Sequence, residues 1–434
     1  MTDLQAKIEE RAARIAIVGQ GYVGLPLAVE FAQTGFRVTG LDADQERIAA
    51  LTRGVSYIPD VPGEHLQQVI QAGRFVATTE VGVLADQDVI IICVPTPLRK
   101  SKDPDISYVV AAAQDVARHV SGGQLVVLES TTYPGTTEEL LLPMFQGRGL
   151  RVGKDFYLAF SPERIDPGNL LYKIKDIPKL VGGVTPACTR MAALLYRQIA
   201  AQVSELSSPM VAELAKLYEN VFRSVNIALA NELALICHHL RISVWEVIEA
   251  AATKPFGFMP FYPGPGIGGH CIPVDPLYLS WKVRLNGYEA KFIGLADEIN
   301  QAMPRFVLGL LTDALNERGK PVKGARILVL GVAYKRGTGD VRESPALEII
   351  GELLHKGAQV QYADPFVPMV TVHGRVLEAA TVNCELLRWS DAALILTDHR
   401  EFDYGLVVTE APLVVDTRNA TRGLAAPDDR IVRL

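Results

Sequence analysis

The run Gly19-Gln20-Gly21-Tyr22-Val23-Gly24 constrains the fold of this chain more than any other feature. It follows an apolar stretch, Arg14-Ile15-Ala16-Ile17-Val18, and opens a helical one over residues 24–33, after which residues 36–42 return as a second strand. That order is a βαβ unit. Its first glycine permits the turn, its second lets backbone approach a pyrophosphate, and its third lets helix and strand pack closely. Asp42 ends the second strand, where a carboxylate accepts hydrogen bonds from ribose hydroxyls and opposes a 2′-phosphate, so NAD is the expected cofactor. Strand, helix and acid together argue against a glycine turn that merely joins two elements.

Further apolar runs at residues 89–94, 125–128 and 157–160 alternate with helical stretches, the rhythm of a parallel sheet covered on both faces. A first domain is expected over residues 1–207. Ser208-Pro209 then supplies an N-cap and a proline at the first helical position, and no glycine or proline follows until Pro255. A helix from Pro209 to Leu240 would span about 48 Å at ~1.5 Å per residue, enough to bridge two domains or to pair with its copy in a homodimer or higher homo-oligomer. Leu214, Leu217, Val221, Val225, Leu229 and Leu233 recur on it at helical spacing, as core or interface. A Gly/Pro-rich loop over residues 255–276 and a helical stretch to about Arg318 complete a central region, 208–318. A second strand-turn-helix begins at residues 326–331, with its helix opening at Ser344-Pro345 and further strands at 360–363, 392–396 and 413–415, so a third region covers 319–434.

Composition narrows the function. A net charge of −6 with no long basic run argues against nucleic-acid binding. No apolar run approaches the roughly 20 residues of a membrane span. Residues 1–14 mix acids and bases without the apolar core of a signal peptide, so a cytoplasmic location is expected. The five cysteines, at 93, 188, 237, 271 and 384, are scattered without a CxxC pair; reduced thiols and no metal site are expected. Cys93, in an apolar strand, and Cys237, in the long helix, read as small buried hydrophobes.

Cys271 differs. It lies in Pro263-Gly264-Pro265-Gly266-Ile267-Gly268-Gly269-His270-Cys271-Ile272-Pro273-Val274-Asp275-Pro276, where dense glycines let backbone amides approach a ligand. A thiolate there can attack an aldehyde carbon to give a thiohemiacetal, whose hydride loss leaves a thioester that water hydrolyses. Lys216 and Asn220, four apart on the long helix, share a face from which ammonium and amide can donate to an oxyanion. Spacing equally allows a solvated stripe in which Glu213 pairs with Lys216 and Glu219 with Arg223. Glu129-Ser130-Thr131-Thr132-Tyr133-Pro134-Gly135 and Ser161-Pro162-Glu163-Arg164 both follow strands, at the carboxyl edge where α/β ligands bind. Glu163 can activate water there, or be a surface carboxylate.

Together these motifs resemble the nucleotide-sugar dehydrogenase family, the UDP-glucose and UDP-N-acetylhexosamine 6-dehydrogenases. The likeness spans nearly the whole chain and includes Val94-Pro95-Thr96-Pro97, Gly331-Val332-Ala333-Tyr334-Lys335 and Asp340-Val341-Arg342-Glu343-Ser344-Pro345. It implies an α/β fold of two Rossmann-like doubly wound domains joined by a long central helix. It implies Cys271 as nucleophile, Lys216 and Asn220 as oxyanion donors, Asp275 as support for the lysine and water, and Thr131 and Glu163 in water handling and acid/base work. Gly19, Gly21, Tyr22, Val23, Gly24, Asp42, Pro95, Thr96, Thr131 and Arg342 match cofactor positions; Glu163, Arg164, Lys216, Asn220, Tyr262, Gly264, Gly268 and Lys335 match positions that hold the UDP-sugar. UDP-glucose enzymes carry a second glutamate four residues after Glu163, where this chain has Pro167. The spellings around Glu163 and Cys271, with Thr253-Lys254-Pro255-Phe256-Gly257-Phe258, are most similar to UDP-N-acetylglucosamine 6-dehydrogenases of bacterial polysaccharide pathways. The same chemistry on the N-acetylmannosamine, N-acetylgalactosamine or glucose nucleotide is the alternative, and a non-catalytic nucleotide-sugar sensor is the reading from another class.

Overall fold

The computed structural model describes residues 3–99, 101–164, 174–425, 427 and 430–434; Pro167 lies outside them. The chain divides into two units, Met1–Glu219 with Leu277–Tyr288, and Asn220–Pro276 with Glu289–Leu434.

Among the described residues the first unit holds eight strands: β1 Arg14–Val18, β2 Arg37–Leu41, β3 Phe75–Thr78, β4 Val89–Ile92, β5 Leu125–Leu128, β6 Tyr157–Phe160, β7 Lys179–Gly183 and β8 Val203–Leu206. They form one sheet in the order β3-β2-β1-β4-β5-β6-β7-β8. Alternate residues of the inner strands feed two cores. Ile15, Ile17, Val89, Ile91 and Val127 pack with Phe31 and Tyr196 in one, and Ala16, Ile90, Ile92 and Val126 pack with Val109 and Phe145 in the other. Burial of each large aliphatic side chain contributes about 1.5–3 kcal/mol, which is why these strands read as unbroken apolar runs.

One neighbour departs from the expected parallel order. β7 pairs antiparallel with β6, Ala159 opposite Gly183 and Phe160 opposite Gly182. A parallel neighbour needs a crossover that carries the chain back to the starting edge; here the chain re-enters the sheet from the end at which β6 leaves it. The first residue of β7, Lys179, therefore sits at the edge where the parallel strands have their carboxyl ends, and continuing the register sets it opposite Glu163.

In the second unit the strands are β9 Arg326–Leu330, β10 Gln359–Ala363, β11 Met369–Val372, β12 Arg375–Glu378, β13 Ala392–Ile395, β14 Val414–Asp416 and β15 Ile431–Arg433. Five form a parallel sheet in the order β10-β9-β13-β14-β15, and β11 and β12 form a hairpin. The helix Pro345–His355 follows β9 and is capped by Ser344, whose side chain accepts from the Ala346 amide.

The long helix runs Pro209–Leu240 as its sequence predicts, with Ser208 Oγ accepting the Val211 amide at 3.4 Å. It stops where Arg241 adopts a left-handed φ of 56°, and Ser243 caps the next helix, Val244–Ala252. The helical stretch expected up to Arg318 is two helices, Asp275–Leu285 and Lys291–Asn316, because Gly287 between them takes a φ of 78°. Among the described residues no helix is long and apolar enough to cross a membrane.

Candidate active site

The glycine loop between β1 and the helix Gly24–Thr34 is built as a cradle. Gly19 has a φ of 94°, and a Cβ there would lie 2.4 Å from the Cys93 carbonyl oxygen. A Cβ on Gly24 would lie 1.8 Å from the Gly19 carbonyl oxygen, whereas one on Gly21 would meet nothing within 4 Å. The first and third glycines are thus demanded by the protein, and the second faces open space. Asp42 accepts the Gln20 amide at 2.7 Å and the Asp44 amide at 3.0 Å, with Arg47 at 3.6 Å. Tyr57 donates to the Gln20 carbonyl at 2.6 Å. Tyr22 is exposed and Val23 half-buried at the start of the helix. An open approach above Gly21 beside a carboxylate with spare lone pairs fits NAD. The neighbouring loop, with Pro95 exposed and Thr96 half-buried, is tied down by Ser130 Oγ donating to the Val94 carbonyl at 2.8 Å and Tyr278 donating to the Pro97 carbonyl at 3.1 Å.

After β5 and β6 come Thr131, half-buried, and Glu163, buried. Glu163 Oε1 accepts the Arg164 amide at 2.6 Å and its Oε2 accepts from Lys179 Nζ at 3.1 Å. The same ammonium donates to Glu129 at 2.8 Å, and Tyr196 donates to Glu129 at 2.6 Å. Burial opposes the charge of Lys179, yet its two carboxylates hold its pKa above the usual lysine range; burial pushes Glu129 up against the pull of Lys179. Lys179 and Tyr196 were not legible from motif spacing. The signal available was a lysine opening an apolar strand.

Lys216 is buried. The solvated stripe allowed by spacing does not form. Glu213 is fully buried and accepts from the Gly135 amide at 2.6 Å, the Thr137 amide at 2.9 Å and Thr137 Oγ1 at 2.7 Å. Glu219 pairs with Arg164 at 2.7 Å. Glu213 has a better partner than its helix neighbour, since rigid amides hold a buried carboxylate without the entropy loss of a long side chain, and Glu219 takes an arginine from outside the helix. Among the described residues Lys216 forms no ion pair.

In the second unit, Asn220 Nδ2 donates to the buried Asp275 at 2.6 Å, and Asp275 reaches back through its amide to the Cys271 carbonyl at 2.8 Å. Cys271 is partly exposed, whereas Cys93 and Cys237 are buried as expected. Two glycines of the cysteine loop are closely approached: a Cβ on Gly268 would lie 2.7 Å from Tyr334 Cβ, and one on Gly264 2.6 Å from Arg418 Nη1. Asn231, on the long helix, accepts the Gly264 amide at 3.0 Å. Tyr262 stacks on Trp245 at 6.1 Å. Arg342 chelates Asp340, at 2.6 Å in its shortest bond, and donates to His270 Nδ1 at 3.2 Å, beside Cys271. Lys335 is half-buried near Tyr334. Arg418, missed in the sequence, is a further cation against this loop. The turn carrying Tyr334 and Lys335 hangs on Asp364, whose Oδ2 accepts the Val332 and Ala333 amides at 2.8 and 3.1 Å.

Residues 13–200 match the NAD binding domain of the UDP-glucose/GDP-mannose dehydrogenase family, 210–302 its central domain and 328–423 its UDP binding domain. The chain is 40% identical over 394 residues to UDP-N-acetyl-D-mannosamine dehydrogenase of Pyrococcus horikoshii, covering 90% of each. It is 40% identical over 356 residues to UDP-N-acetyl-D-glucosamine 6-dehydrogenase of Pseudomonas aeruginosa, covering 82% of this chain and 83% of that one. The solved structure of the Pyrococcus horikoshii enzyme superposes with a TM-score of 0.88 at 36% identity, covering 97% of this chain and 98% of that one.

Proposed function

The chain belongs to the UDP-glucose/GDP-mannose dehydrogenase family, and from that premise we propose that it oxidises the C6 alcohol of UDP-N-acetylglucosamine to the carboxylate through a covalent intermediate on Cys271. The observation that carries the covalent reading is Cys271 itself: a partly exposed thiol on a glycine loop whose shape is fixed by Tyr334, Arg418 and Asn231.

Gly21 and Asp42 are the residues that would hold NAD, which would supply a two-electron acceptor for each of two oxidations. The chain's own groups do the rest. When C6 has lost its first hydride and its hydroxyl has released its proton to solvent, the Cys271 thiolate adds to the aldehyde carbon, and the carbonyl oxygen becomes an oxyanion served by Lys216 and by the Asn220 side-chain amide. Loss of the second hydride leaves a thioester. Glu163, with Thr131, takes a proton from water; the new C–O bond forms, the C–S bond breaks, and the thiolate is restored. One sugar and one water thus give one carboxylate, with four electrons removed as two hydrides. Lys335 and Arg418 balance the UDP charge.

Motif spelling and the Pseudomonas aeruginosa relative support the glucosamine nucleotide. Equal identity to the Pyrococcus horikoshii enzyme makes UDP-N-acetylmannosamine the second reading. A panel of UDP-sugars followed at 340 nm separates them. UDP-N-acetylglucosamine should be consumed with two NADH per sugar and no aldehyde trapped by hydroxylamine; a preference for the mannosamine epimer overturns the substrate, and one NADH per sugar overturns the covalent mechanism. We also infer a cytoplasmic homodimer through the long helix, which leaves Val211, Leu214, Tyr218, Leu229, Ile236 and Leu240 exposed.

A further inference from the structure

A buried lysine shared by two carboxylates stands behind Glu163, and the covalent chemistry above gives it no role. Lys179 uses all three of its protons: on Glu129 at 2.8 Å, on Glu163 at 3.1 Å and on the Pro162 carbonyl at 3.5 Å. Its side chain is 4% exposed, and those of Glu129 and Glu163 are 0% and 10% exposed. A fold does not need such a cluster for stability, because moving ions out of water costs several kcal/mol each and an apolar replacement is often neutral.

We propose that Lys179 is a positioning residue for Glu163, holding that carboxylate in place, while Glu129 and Tyr196 set how much of the ammonium Glu163 receives. The inference rests on the reading of Glu163 as the group that takes the proton from water. Charged and titratable groups face Glu163 and its neighbour Glu129 from five elements. Lys179 opens β7, Glu129 follows β5, Cys93 follows β4 with its thiol 3.9 Å from Glu129, Tyr196 ends the helix Pro186–Tyr196, and Arg164 is next in the chain with its guanidinium on Glu219. Burial pushes both the Cys93 thiol and the Tyr196 hydroxyl up, so each stays protonated and the cluster reduces to two acids and one ammonium.

The arithmetic of that cluster predicts opposite effects from its two ends. Without the ammonium, two neighbouring buried carboxylates compete for one proton, and the pair takes it up at higher pH. Without the Glu129 charge, Lys179 serves a single carboxylate, and the cluster takes up its proton at lower pH. Removing both restores the original cluster charge of −1.

The test is the pH profile of kcat/KM for the UDP-sugar, whose acid limb reports the base of the free enzyme. Lys179→Met should lower turnover at neutral pH at least tenfold and move the acid limb up by about one unit or more. Glu129→Gln should move the limb down. The double variant should return it to within about half a unit of the parent and recover part of the turnover. A purely structural lysine predicts otherwise: lost folded enzyme with an unmoved limb, and a double variant worse than either single. An unmoved limb in folded Lys179→Met, or in Glu129→Gln if the lysine variant fails to fold, overturns the proposal. Glu163→Gln separates the two levels. If it keeps more than a tenth of the parent's turnover, the reading of Glu163 as base falls and takes this inference with it; if it is dead while the other limbs stay put, only the role of Lys179 falls.

Discussion

Asp364→Asn reaches the cysteine loop from a distance through one carboxylate. Asp364 Oδ2 accepts the Val332 and Ala333 amides at 2.8 and 3.1 Å and His399 Nε2 at 3.1 Å, while Oδ1 accepts the Phe366 and Val367 amides at 2.9 and 3.1 Å. His399 is the donor in its pair, because its Nδ1 already accepts the Gly337 amide at 3.2 Å. An asparagine must aim its NH2 at one of these sets. Even in the milder orientation the Phe366 and Val367 amides meet a donor. Bonds to a charged acceptor contribute about 1.5–3 kcal/mol each, and stranded buried donors cost about 1–3, so a loss of about 3–5 kcal/mol is expected. In differential scanning calorimetry the transition of the second unit should fall by about 6–20 °C, at roughly 2–4 °C per kcal/mol. Tyr334 hangs on the same turn and packs against Gly268 and Gly269, so KM for the UDP-sugar should rise as well. The pH dependence follows from the depressed acidity: burial works against the ionised form, yet His399 and the amides hold Asp364 below the usual carboxylate range. A depressed folded pKa gives stability that is fully present above the unfolded value of about 3.9 and is lost as pH falls through the folded one, so the gap between parent and variant should start to close as pH falls below about 4 and shrink further with acidity. A variant melting within 2 °C of the parent at pH 7 refutes this account.

Cys271→Ala should abolish acid formation while UDP-sugar binding, measured by calorimetry, changes less than about threefold, since the thiol acts in covalent chemistry and not in ground-state affinity. Near-normal turnover removes it as nucleophile. Lys216→Ala should cost about 10²–10³ in kcat, the usual loss for one oxyanion donor; with Glu213 committed elsewhere, a loss under tenfold leaves the lysine without a catalytic role. NAD should be preferred to NADP, because Asp42 opposes a 2′-phosphate, and equal kcat/KM with both would contradict it. Gly24→Ala should yield little folded protein or none that binds NAD, as its Cβ would stand 1.8 Å from a backbone oxygen that has nowhere to go.

Local patterns carried much of this molecule into the sequence. The cap at Ser208 and the helix to Leu240 depend on neighbours a few residues away, and the glycine and cysteine loops show in their composition even though Cys93 and Tyr334, which close on them, lie far off in sequence. What escaped depends on chain reversal and on partners far off in sequence. β3, β7 and β8 are four or five residues long, and β7 opens with a lysine whose partners lie 50 and 16 residues earlier. Glu213 and Glu219 looked like the acid halves of helix ion pairs, yet their partners are a loop 76 residues upstream and an arginine 55 residues upstream. Helix spacing shows which residues share a face and not what that face meets.

The two bonds that grip Gln20 have a calorimetric and kinetic consequence. Asp42 holds its amide and Tyr57 its carbonyl, so the turn beneath the cofactor is already ordered by the fold. NAD then docks on a finished surface instead of moulding one, and little conformational entropy is left to lose on contact. Association should be fast and single-phased in stopped-flow, with affinity residing in the dissociation rate. Tyr57→Phe releases one of the two grips without changing the shape of the pocket. Its signature should be a more unfavourable binding entropy and a slower association, with the NAD stoichiometry unchanged.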